Sequence, residues 1–130
     1  MSKIRLMLAD DNALLREALD MLLGLQADME VVAYAANGLE VLAQIDVVCP
    51  DIVCMDINMG CLDGIETTRQ LLLRQPQVKV IGLSADGDAA LVAAMFQAGG
   101  LGYVVKSRAS AHLLTAVRAV HGGGTFIRSQ

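Results

Sequence analysis

Five times along this chain of 130 residues, a short, mostly apolar run is followed by a segment whose apolar residues recur at helical spacing. The runs are IRLMLA (4–9), MEVVAYA (29–35), DIVCM (51–55), VKVIGL (78–83) and YVV (103–105). Runs this short, without polar alternation, predict strands covered on both faces. Leu14, Leu15, Ala18, Leu19, Leu22 and Leu23 mark a first helix that ends near Gly24. Further helices are expected over Leu39–Val47, Ile65–Arg74, about Asp88–Ala98 and Ala111–Val120, with Asn37-Gly38, Pro76 and Gly122-Gly123-Gly124 as punctuation. Strict alternation leaves few folds. It predicts an α/β domain with a five-stranded parallel sheet, strand order 2-1-3-4-5, and five helices on its two faces.

The totals agree with one domain, here expected over residues 1–122, with 123–130 as the start of a linker. A chain of this length buries roughly two-thirds of its unfolded surface and needs no covalent staples. With 55% apolar and 18% charged residues it is neither a disordered tail nor a disulfide scaffold. A net charge of −4, with ten scattered basic residues, argues against a nucleic-acid-binding face. Cys49, Cys54 and Cys61 lack zinc-ligand spacing and read as reduced core or near-core thiols of a cytoplasmic protein. Asp10 and Asp11 cut the first apolar run too short for a signal peptide. Residues 89–105 carry no charge, but Gln97, Gly99, Gly100 and Gly102 interrupt them, so no membrane span is expected.

In an open α/β sheet, ligands bind beyond the carboxyl ends of the strands, where the strand order reverses. Asp10 and Asp11 leave the first strand at that edge, and Asp56 leaves the third beside them. Neighbouring strands lie about 4.8 Å apart. Unit charges about 4 Å apart repel by about 4 kcal/mol at an effective dielectric of about 20, so the cluster calls for a cation. Oxygen-only ligands favour Mg²⁺. Ser84 ends the fourth strand and Lys106 the fifth. A metal pocket, a hydroxyl and an ammonium on adjacent strand ends compose a phosphoryl-transfer site, with Asp56 placed to attack phosphorus. Singly, each residue has a plainer use: Asp10, Asp11 or Asn12 as a helix cap, Ser84 in a turn, Lys106 as a solvated charge.

LADDN after the first strand, MDINMGCLDG after the third, LSAD after the fourth and GYVVKS after the fifth resemble one family over nearly the whole chain. It is the receiver domain of bacterial two-component response regulators, with its CheY-like, flavodoxin-like fold. The resemblance implies a signalling switch in which Asp56 takes a phosphoryl group from the phosphohistidine of a sensor histidine kinase. It implies Mg²⁺ held by Asp11, Asp56 and the Asn58 carbonyl, with Asp10 acting through water. Lys106 would pair with the phosphoryl group and Ser84 would donate a hydrogen bond to it. Tyr103 matches the switch aromatic, which turns inward as Ser84 moves toward phosphate. Asn58 and Asp86 stand where the family tunes hydrolysis, and an amide with a carboxylate there predicts a short-lived phosphorylated state. Gly60 replaces a common proline, which predicts a looser loop with its chemistry intact.

The segment SRASAHLLTAVRAVHGGGTFI resembles NarL/FixJ-type regulators, whose receiver precedes a helix-turn-helix domain. The expectation is a receiver from a longer transcription regulator that meets DNA only through that domain. The alternative is a stand-alone receiver, or an interaction module that works without phosphate. A homodimer is expected through the fourth helix, fifth strand and fifth helix, or through the first and fifth helices. The apolar fourth helix reads either as core or as a docking face. Two rivals fit less well. A haloacid-dehalogenase-type phosphatase needs an aspartate where Asn58 stands. A flavodoxin-like FMN carrier needs a phosphate loop where Asp10 and Asp11 repel phosphate, and 3% aromatic residues leave little to stack a flavin. GGLGYV (99–104) precedes a strand and so is no dinucleotide loop. His112 and His121 read as surface residues.

Overall fold

A computed structural model describes residues 2–60 and 62–128. The strands are β1 (Ile4–Ala9), β2 (Met29–Ala35), β3 (Ile52–Asp56), β4 (Lys79–Ser84), β5 (Gly102–Val105) and β6 (Phe126–Arg128). The helices are α1 (Ala13–Gly24), α2 (Gly38–Val48), α3 (Gly64–Arg74), α4 (Ala89–Gln97) and α5 (Ala109–His121). All strand pairs are parallel, in the order β2-β1-β3-β4-β5-β6. No helix among the described residues is long and apolar enough to cross a membrane.

Alternate strand residues point to opposite faces, and the sheet accordingly carries two cores. Leu6, Leu8, Ile52, Cys54, Ile81, Leu83 and Val104 pack under α1 and α5 with Leu19, Leu23, Leu113 and Val117. Met7, Val53, Met55, Val80 and Tyr103 pack on the other side with Val41, Ile45, Leu71 and Met95. Every helix but α5 starts on a side-chain cap. Asn12 accepts from Leu15 N–H, Asn37 from Glu40, Asp63 from Glu66 and Asp88 from Ala90. The α5 helix is instead entered through a short 3₁₀ turn, Lys106–Arg108.

Two expectations need correction. The sheet has six strands rather than five, and the sixth comes from the stretch expected to begin a linker. The glycines are an ordered turn. Gly122, Gly123 and Gly124 N–H donate to the carbonyls of Arg118, Val120 and Ala119, and Gly123 sits at φ +99°, where a side chain is strained. The turn sends the chain back along β5, where Phe126 N–H donates to Leu101 O at 3.0 Å. One of the two described cysteines also differs from expectation, whereas the other lies in the core as expected. Cys54 is buried, and burial pushes its thiol up to about 12. Cys49 is exposed, at the left-handed C-cap of α2. Cys61 lies outside the described residues. A β-carbon at Gly60 would meet nothing within 4 Å, consistent with a loop that packs lightly there.

Candidate functional site

Three strands end in the same local turn. Asp10 Oδ1 accepts from Asn12 N–H at 2.8 Å, Asp56 Oδ1 from Asn58 N–H at 3.0 Å, and Ser84 Oγ from Asp86 N–H at 3.4 Å. Each side chain thereby folds over its own strand end and faces the same rim. Helix capping is done by Asn12, Asn37, Asp63 and Asp88, so neither Asp10, Asp11 nor Asp56 is used as a cap. That removes the plainer use of these carboxylates.

The topology brings the acids together as expected. One carboxylate oxygen from each of Asp10, Asp11 and Asp56 lies within 4.8 Å of the others. Asp10 and Asp56 are buried, whereas Asp11 faces solvent. Lys106 Nζ bridges the two buried acids, 3.0 Å from Asp10 Oδ2 and 3.0 Å from Asp56 Oδ1. Burial pushes the Asp56 carboxyl above the usual carboxylate range and the charge of Asp10 adds to this, while Asn58 N–H and Lys106 oppose it. Burial works against the Lys106 ammonium, but Asp10 and Asp56 outweigh it and hold the group above its ordinary value. Asp56 Oδ2 is buried with no hydrogen-bond partner among the described residues. Two buried acids share one lysine, so negative charge is left over. The donors are all oxygens and one is unpartnered, which suits a hard divalent cation such as Mg²⁺.

The remaining expected residues line the same rim. Ser84 is buried one position past Leu83, the register partner of Asp56. Tyr103 is buried on β5, and its hydroxyl donates to Asp86 O at 2.8 Å. The ring is therefore turned inward. The Asp86 carboxylate accepts from Asp88 N–H at 3.0 Å, at the start of α4. Asn58 is exposed on the β3–α3 loop.

Two supporting residues were not read from the sequence. Arg16 Nη1 donates to Asp10 O at 2.5 Å, so α1 fixes the end of β1. With Asp10 N–H bonded to Ala35 O at 3.0 Å, the backbone of Asp10 is held at both its N–H and its carbonyl. Gly64 is the second. A β-carbon there would stand 2.1 Å from Asp56 O and 2.8 Å from Ile57 Cα. Gly64 N–H closes the loop onto Ile57 O at 2.9 Å. Its place after Asp63 in the loop was a signal, but the contact is tertiary.

The comparisons with known proteins agree with this geometry. The response regulator receiver domain matches residues 6–118. The transcriptional regulatory protein DegU of Brevibacillus brevis is 36% identical over 126 residues, 97% of this chain and 53% of the relative. The transcriptional regulatory protein LnrK of Bacillus subtilis (strain 168) is 37% identical over 124 residues, 95% of this chain and 56% of the relative. The chain thus spans about half the length of these relatives. A crystal structure of a LuxR-family two-component response regulator from Aurantimonas sp. SI85-9A1 superposes with a TM-score of 0.93 at 32% identity, covering 98% of this chain and 91% of that one. The chain belongs to the response regulator receiver domain family, and its relatives are regulators of the LuxR and NarL type.

Proposed function

We propose that this chain is a phosphorylation-driven switch in which Asp56 accepts a phosphoryl group from the phosphohistidine of a sensor histidine kinase. The carboxylate oxygen forms the new bond to phosphorus as the bond to the imidazole nitrogen breaks. Asp11, Asp56 and the Asn58 carbonyl would hold Mg²⁺, with Asp10 acting through water. The bound ion supplies positive charge against the phosphoryl oxygens. Lys106 would give a second positive charge, and Ser84 would donate a hydrogen bond. Transfer is then a matter of position and charge rather than acid–base chemistry. One observation carries the reading: Asp56 Oδ2 stands unpartnered beside two further acids, while Lys106 holds the other oxygen of the same carboxylate.

Asn58 and Asp86 set the lifetime of the acyl phosphate, Tyr103 reports it to α4 and β5, and Gly60 changes the stiffness of the loop. The output is transcriptional, through a DNA-binding domain beyond residue 130, as the names of the longer relatives suggest. Residues 123–130 lead to that domain. Two receivers pair through α4, β5 and α5, or through α1 and α5. To test the reading, the protein is incubated with phosphoramidate and Mg²⁺ and its intact mass is recorded. One added phosphate is expected, lost in Asp56→Asn and in the presence of EDTA. The same adduct on Asp56→Asn would reject the assignment.

A further inference from the structure

The fifth strand has unlike neighbours on its two sides. In register, Tyr103 faces Gly82 on β4 and Ile127 on β6. Alternation puts Phe126 and Ile127 on opposite faces of the sheet. Phe126 packs against the core under α1 and α5, its ring centroid 6.3 Å from that of His112 and 5.0 Å from Arg128 Cζ. Ile127, 48% exposed, lies on the face that carries Tyr103. Tyr103 is thus flanked by no side chain on one hand and by a branched apolar one on the other. Its ring is buried and points toward the β4–α4 loop, where its hydroxyl holds Asp86 O. A ring swung the other way, toward the sheet edge, would turn toward Ile127, its register partner on β6.

We propose that Phe126–Arg128 is a strap on the sheet edge whose docking is coupled to Tyr103. The docked strap favours the inward ring, and phosphorylation of Asp56, by drawing Ser84 away and favouring that same ring position, tightens the strap. The proposal rests on the switch described above and adds its outlet. The three residues that first leave the domain toward any following chain are the ones whose hold on β5 changes. The glycine turn makes this possible, because Gly123 at φ +99° lets the chain fold back along β5 directly after α5. Coupling of this kind is reciprocal, so a weakened strap weakens binding at the acidic pocket by the same factor.

The test uses the whole chain, labelled with ¹⁵N, in Mg²⁺ with and without beryllium fluoride, a mimic of the acyl phosphate. Bound fluoride is read by its ¹⁹F resonance and must be absent in Asp56→Asn. Amide exchange is read at Phe126, with Val117 in α5 as internal reference. Protection of Phe126 is expected to rise by about fivefold or more when beryllium fluoride binds. In Ile127→Ala, which keeps the strand backbone, the ¹⁹F resonance persists and the rise falls below about twofold. Bound fluoride with unchanged Phe126 protection in the parent chain would overturn the strap and leave the phosphoacceptor reading standing. No resonance at all would overturn that reading, and the strap with it.

Discussion

The helices α4 and α5 flank the same strand and are held in opposite ways. In α4 every residue but Gln97 is apolar, yet only Met95 is buried, with Leu91, Val92 and Phe96 half covered. The α5 helix is more polar and buries Ala109, Leu113, Ala116, Val117 and Val120 along one face. It is also tied at its far end. Lys79 Nζ reaches the carbonyls of Val120 and His121, and Arg118 pairs with Asp28. By contrast, α4 hangs on its Asp88 cap, on Met95 and on the Tyr103 bond to the loop before it. Total hydrophobicity therefore says little about anchoring; a continuous stripe says much. The element with few buried contacts is the one free to move, and it is the one tethered to the charged rim.

Substitutions on the two helices and on the strand between them separate these roles. Leu113→Ala should have the largest effect, lowering stability by about 2–5 kcal/mol in urea unfolding, because it opens a cavity in the core under α5. Tyr103→Phe removes one hydrogen bond and should cost about 1 kcal/mol. Its signature is local: amide exchange speeds up in α4 and stays unchanged in α5. Uniform acceleration would mean that the two helices open together and would erase the contrast. The smallest effect is expected for Leu91→Ala, within about 1 kcal/mol, since a half-exposed side chain loses only part of its transfer energy. A loss equal to that of Leu113→Ala would show α4 to be as firmly seated as α5.

The sheet was legible in the sequence because its inner strands β1, β3, β4 and β5 are covered on both faces and so are mostly apolar. The rim was legible for a related reason. Strands β1, β3, β4 and β5 each give way abruptly to a polar residue, and parallel topology sends all those ends to one side. What escaped depends on contacts between distant segments. Phe126 is one aromatic after three glycines, too short a run to carry a period, and it becomes a strand only because β5 offers an open edge. Arg16 reads as an ordinary helix charge until Asp10 O is found beneath its guanidinium. Gly64 reads as a loop glycine ahead of the third helix until the space its β-carbon would need is seen to hold Asp56 O. Cys49 reads as a near-core thiol until the left-handed C-cap of α2 is seen to leave it exposed.

The central claim is that one carboxylate, Asp56, carries the phosphoryl group. Borohydride reduces an aspartyl phosphate to homoserine and leaves a free aspartate untouched. Treating the phosphoramidate-modified protein with borohydride and sequencing its peptides by mass should find homoserine at position 56, with aspartate retained at positions 10 and 11. Homoserine at either of those positions, or its absence at 56 in a protein that has gained phosphate, would contradict the account.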